Sequence, residues 1–116
     1  MKILVINGPN LNLLSKRDET TYSSLNIEQI IKLLKLEFPK IEFSSIQSNL
    51  EGELVTAIQS AEDKYDGIII NPGGYSHTSV AILDALEICK IPKIEVHLSH
   101  LANREDYRQN LLTAKN

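Results

Sequence analysis

The sequence predicts an α/β protein built on a doubly wound parallel sheet, and three observations predict it. Short runs rich in β-branched residues alternate with segments of helical period, the order that builds right-handed βαβ crossovers. The clearest runs, Ile3-Leu4-Val5-Ile6 and Ile68-Ile69-Ile70, are continuously apolar, as strands covered on both faces are. Polar clusters rich in Asn, Gly, Pro, Ser and His follow directly on three strands, at 7–12, 71–79 and 97–100. In an open α/β sheet, ligands sit outside the carboxyl ends of the strands, so three such loops meeting at one mouth suggest an active site.

The elements follow in order. Ile3 to Ile6 is a buried strand ended by Gly8-Pro9, and 10–24 is a long polar loop without a convincing period. Loops of that length in compact domains are usually functional. Residues 26–38 form a helix, with Ile27, Ile30, Ile31, Leu34 and Phe38 at spacings of three and four. Asn26 with Gln29 resembles a capping box, and Pro39 closes the end. Residues 41–47 read as a strand, with Ile41, Phe43 and Ser45 on one face. A second helix covers 50–64, with Leu50, Leu54, Ile58 and Ala61 on one side. Gly67 to Asn71 is the third strand. The third helix, 78–89, is expected to pack Val80, Ala81, Leu83, Ala85 and Leu86 inward, leaving Ile82 and Ile88 off the stripe as a hint of a subunit contact. Pro92 precedes a fourth strand, Ile94-Glu95-Val96-His97, and 104–112 begins a last helix or turn. The natural architecture is a flavodoxin-like, three-layer αβα fold in a single domain, 1–116.

Composition narrows the function. The chain has 116 residues, 42% apolar and 23% charged, and a net charge of −3. These are the proportions of a soluble globular domain. Without a basic stripe, nucleic acid is not an expected partner, and neither is an anionic membrane surface. No leader or membrane span is visible, so a cytoplasmic location is expected. The single cysteine, Cys89, reads as a small buried hydrophobe and allows neither a disulfide nor zinc spacing.

The loops lack the common phosphate motifs. Gly8-Pro9-Asn10 is not a dinucleotide fingerprint, and no Walker lysine pattern is present. The strand ends hold no carboxylate cluster for magnesium. His97 and His100 have no clean acidic partner for a metal, so neither a metal nor any other cofactor is expected.

Four segments carry a family resemblance. Asn7-Gly8-Pro9-Asn10-Leu11-Asn12-Leu13-Leu14, Gln47-Ser48-Asn49-Leu50-Glu51-Gly52-Glu53-Leu54, the run from Ile70 through Asn71-Pro72-Gly73-Gly74-Tyr75-Ser76-His77 to Ala81, and Ile94-Glu95-Val96-His97-Leu98-Ser99 resemble those of type II 3-dehydroquinate dehydratases, in order and spacing. The resemblance extends from Lys2 to about Arg108. It implies reversible dehydration of 3-dehydroquinate to 3-dehydroshikimate in the shikimate route of aromatic biosynthesis, through an enolate and without metal or Schiff base. Such chemistry requires a base at the alpha carbon, an acid for the leaving hydroxyl, and donors for the enolate oxygen and the carboxylate.

The resemblance also implies roles. Tyr22 matches the base. A free phenol, with a pKa of about 10, is protonated at neutral pH, and neighbouring cations favour the phenolate. Arg17 matches the cation in the same loop, and Arg104 is a second candidate. His97 matches the proton donor. Glu95 lies two residues earlier on the same strand face and is expected to orient the imidazole. Asn10, with the Gly74 backbone, is expected to hold a water against the enolate oxygen. Asn71 and His77 match substrate-binding positions, Asn71 at a strand tip and His77 at a helix start. Leu98 and Ser99 offer donors to the substrate carboxylate, and Arg108 resembles the arginine on a substrate hydroxyl. Asp84 matches a residue that reaches into a neighbouring subunit's site, and the family assembles as a homo-dodecamer of trimers.

The chain departs from the family pattern in places. The family commonly has Gly where Ser15 and Ser23 stand, and often Pro near Glu19. Members continue past the position of Asn116 through a glycine-rich strand and a terminal helix. The C-terminal strand and helix are therefore expected to be missing, leaving the fourth strand as an edge. The rival readings are a truncated or non-catalytic homologue that binds small polyols or anions, with Gly73-Gly74 at a helix N-terminus as the cradle, and a hydrolase using Ser76 or Ser79, which lacks a nucleophile elbow.

Overall fold

The computed structural model describes residues 1–16 (side chains through 13), 25–97 and 113. Four parallel strands, β1 (Lys2–Asn7), β2 (Glu42–Gln47), β3 (Gly67–Asn71) and β4 (Lys93–Glu95), form one sheet in the order β2-β1-β3-β4. The chain starts in the middle, moves out to β2, then crosses back to β3 and β4. That reversal makes the carboxyl ends of β1 and β3 the switch point of a doubly wound sheet.

Register aligns those ends. Asn7 pairs with Gln47 on one side and with Asn71 on the other, and Ile70 pairs with Glu95. The Val96 N–H still donates to Ile70 O at 2.8 Å. The ladder thus runs one residue past β4, and His97 stands just beyond it.

Helices cover both faces. α1 (Ile27–Glu37) sets Ile31 against Val5 and Phe43 on one face. On the other, α2 (Glu51–Ala61) and α3 (Val80–Ile88) bury Leu54, Ile58, Ala61, Ile82, Ala85 and Leu86 over Leu4, Ile6, Ile68 and Ile70. β1 and β3 are sandwiched, which is why their sequences are continuously apolar.

The helix starts follow capping chemistry. Asn26 and Gln29 close both halves of a capping box at 2.8 Å each. Ser79 caps α3 through Ile82 N–H, 2.9 Å. α2 has no side-chain cap at Leu50; the Leu50 N–H turns back to Ser48 Oγ, and Glu51 and Glu53 place negative charge in the first turn, where it offsets the exposed N–H groups.

Several sequence expectations need correction. Leu50 is exposed rather than on the α2 core stripe, because it precedes the first turn. In α3 the inward stripe is Ile82, Ala85, Leu86 and Cys89, while Val80 and Ala81 are exposed. The helix begins at Val80, two residues later than expected, and the apolar residues all round it left its phase open. Ile82 is thus core, and of the proposed off-stripe pair only Ile88 is exposed. The loop after β1 is not structureless throughout: Leu11–Lys16 forms a 3₁₀ segment that buries Leu11. A second 3₁₀ turn, Gly73–His77, lies between β3 and α3. Cys89 is buried as expected. The fourth strand is an edge among the described residues. The segment 104–112 lies outside them. No described helix is long and apolar enough to cross a membrane.

Candidate active site

Two loops at the switch point are locked together by glycines. The Gly8 N–H donates to Asn71 O at 2.8 Å. A Cβ on Gly8 would meet Pro72 O at 2.3 Å, and one on Gly73 would meet Pro9 O at 3.0 Å. Gly73 also has a φ of +62°, in the left-handed region that a residue with a Cβ rarely adopts. Each loop therefore requires glycine in the other's path, and Asn10 and Gly74 each lie one residue beyond this contact. Asn10 itself has φ 69°, a conformation that Asn tolerates better than most residues.

A third loop, after β2, joins them. Gln47 Nε2 donates to Gly8 O (3.1 Å) and to Asn49 Oδ1 (3.2 Å). Asn49 Oδ1 accepts the Asn10 N–H at 3.0 Å, and its carbonyl accepts Tyr75 Oη–H at 3.0 Å. Gln47, Asn49 and Tyr75 hold the site's loops in register. They lie in the quoted motifs, where no role is expected of them; the signal is two amide side chains, Gln47 and Asn49, at the carboxyl end of β2.

Asn71 is buried, and its Oδ1 accepts the Gly73 N–H at 3.1 Å. Its carbonyl and one side-chain oxygen thus shape the turn, and its amide NH2 retains donor capacity. Asn71 and Asn7 border a cavity of about 290 Å³ on the α1 face, otherwise lined by apolar side chains such as Leu11, Ile30, Ile69 and Val96.

Glu95 and His97 come together as their spacing predicts. Glu95 Oε2 accepts from His97 Nε2 at 2.7 Å, with the side chains 9% and 18% exposed. Screening by water is limited there, so the contact holds the imidazole more firmly than a surface pair would. The second oxygen, Oε1, accepts the Thr113 hydroxyl. Thr113 was not singled out by sequence, because nothing local marks a residue that far along the chain as a partner of Glu95.

The remaining expectations divide. His77 closes the 3₁₀ turn Gly73–His77 and does not open a helix; Ser79 takes the capping position. Asp84 is exposed on α3. Tyr22, Arg17, Leu98, Ser99, Arg104 and Arg108 lie outside the described residues. Among the described residues, no three His, Cys, Asp or Glu side chains gather as a metal group.

The rival sites are occupied by structural contacts. Ser76 Oγ donates to Gly73 O at 2.8 Å in full burial. Ser79 Oγ donates to Glu51 and accepts from Ile82 N–H. Among the described residues, neither is hydrogen-bonded to a histidine that could activate it as a nucleophile. The Gly73-Gly74 turn does not meet the α3 N-terminus, which starts after Ser79 and is capped by it.

The chain is similar in sequence and fold to known proteins. The family profile described as Dehydroquinase class II matches residues 1–116. A 3-dehydroquinate dehydratase of Fusobacterium nucleatum is 49% identical over 120 residues, covering 98% of this chain and 81% of the relative. One from Clostridium acetobutylicum is 48% identical over 116 residues, with the same coverage of 98% and 81%. The crystal structure of the type II dehydroquinase from Butyrivibrio crossotus superimposes with a TM-score of 0.93 at 44% identity, covering 99% of this chain and 82% of that one.

Proposed function

The chain belongs to the class II dehydroquinase family, and from that premise we propose how its residues perform the reaction. The activity is that of a type II 3-dehydroquinate dehydratase, a lyase that removes water from 3-dehydroquinate in the shikimate pathway. The pathway through an enolate and the assignment of residues are our reading.

In that reading the Tyr22 phenolate removes the proton alpha to the ketone, and Arg17 stabilises the phenolate. A water held by Asn10 and the Gly74 N–H donates to the enolate oxygen, placing a hydrogen bond where charge develops. His97 then protonates the departing hydroxyl. Its Nε2–H points at Glu95, so Nδ1 is the nitrogen that delivers the proton, and the carboxylate stabilises the imidazolium that precedes delivery. Asn71 and His77 bind substrate hydroxyls, Leu98 and Ser99 the carboxylate, Arg108 a further hydroxyl. Asp84 contributes from a neighbouring subunit within a trimer, four trimers forming a dodecamer, in the cytoplasm.

The observation that carries the reading is the Glu95–His97 pair at the carboxyl end of β4, beside the loop pair that holds Asn10 and Asn71. Ultraviolet absorbance tests it. The product is a conjugated enone carboxylate and the substrate is not. Incubation with 3-dehydroquinate is expected to raise the absorbance, and Tyr22→Phe to abolish most of the rise. An unchanged rate in Tyr22→Phe would remove Tyr22 as the base.

A further inference from the structure

Glu95 has two carboxylate oxygens, and the structure gives each its own partner. Oε2 accepts from His97 Nε2 at 2.7 Å, and Oε1 accepts the Thr113 hydroxyl. Thr113 is 2% exposed and the Glu95 side chain 9%.

From this we propose that Thr113 is a positioning residue for the dehydration, acting through Glu95 to hold the His97 imidazole with Nδ1 toward the leaving hydroxyl. The inference rests on the assignment of His97 as proton donor. A carboxylate bonded through one oxygen rotates about its last torsion, which is broad and two-fold. Either oxygen then meets the imidazole, and the ring follows. Bonding the second oxygen fixes the carboxylate plane, and with it the ring and its tautomer, as outer-shell partners do for histidines bound to metals. A hydroxyl suits the task. It donates to one oxygen, brings no charge to compete with the imidazolium, and is small enough to be buried with Glu95. The bond also ties the residue after 98–112 to the strand before it.

The test uses the full chain with Thr113→Val, Thr113→Ala and Thr113→Ser, folding being checked by circular dichroism. Two quantities are read: kcat and KM from the absorbance assay, and the tautomer of neutral His97 from long-range ¹⁵N–¹H spectra. The hydroxyl-free variants are expected to lose about tenfold in kcat with KM changed by less than about twofold, part of the roughly 10²–10⁴-fold that a positioned general acid supplies. Their neutral imidazole is expected to shift from Nε2–H toward a mixture of tautomers. Thr113→Ser is expected to restore both quantities. Folded Val or Ala variants with wild-type kcat and tautomer would overturn the proposal. So would equal losses in Ser and Val, or failure of both Val and Ala to fold while Ser folds, since the hydroxyl would then serve the fold and not the imidazole. A wild-type chain without turnover would instead sink the functional reading, and the tautomer comparison would still decide what Thr113 does to His97.

Discussion

At residue scale, two pairs of residues set what the site can tolerate. Gly8 faces the carbonyl of Pro72, and a Cβ there would lie 2.3 Å from backbone oxygen. No rotamer relieves a clash with backbone, so the β3 loop must move. Gly8→Ala is expected to cost about 2–3 kcal/mol, read as a lower urea midpoint at unchanged slope. It is also expected to reduce kcat, because the displaced turn carries Asn71. Glu95→Gln probes charge apart from shape. The amide oxygen can still accept from His97 Nε2, and its NH2 can donate to a Thr113 hydroxyl turned to accept. Geometry survives and the negative charge is gone. The expected result is a fall in kcat of about 10- to 100-fold with little change in melting temperature. Unaltered turnover in this variant would show that the imidazolium needs no carboxylate. The pair itself was readable from two-residue spacing on a strand.

At the scale of elements, legibility followed how local the causes were. The capping box at Asn26 and Gln29, the breaks at Pro39 and Gly8-Pro9, and the span of β3 each depend on a few neighbouring residues, and each stands as its sequence indicates. The phase of α3 depends on what lies opposite it. With apolar residues on most sides, the phase is selected by the core that Ile82 joins, with Leu54 and Ile58 of α2 and Ile68 and Ile70 of β3. The two 3₁₀ segments leave no periodic signal because each is short, the first kinked at Leu13, and each goes with a single buried residue, Leu11 or Ser76. Caps also differ in worth by burial. Asn26 caps in the open, and Asn26→Ala is expected to cost about 1 kcal/mol. Ser79 is 2% exposed and also donates to Glu51, so Ser79→Ala loses the cap and leaves a carboxylate oxygen short of a partner. Its expected cost is about 2–3 kcal/mol. Chemical denaturation of both variants checks the order; equal costs would mean that the Ser79–Glu51 bond adds nothing beyond the cap.

At the scale of the whole molecule, Asp84 is the residue whose proposed role requires a second subunit. It is exposed on α3, a helix whose inward stripe is Ile82, Ala85, Leu86 and Cys89 and whose Val80 and Ile88 also face outward. An acid beside exposed aliphatic residues is what a subunit boundary needs when one copy supplies a group to the next. If Asp84 acts across such a boundary, Asp84→Ala and Tyr22→Phe disable a site by different subunits. Each variant alone is expected to have little activity. Unfolding the two together in equal amounts and refolding them gives random mixed assemblies. A site then works when its own chain retains Tyr22 and its neighbour retains Asp84, which random mixing in a closed ring produces in about a quarter of sites. Recovery to about a quarter of wild-type activity is the expected outcome. Mixing without refolding should recover none. If refolded mixtures stay as inactive as their parents, Asp84 serves the site of its own chain, since every site would then contain either Asp84→Ala or Tyr22→Phe whatever its neighbour carries.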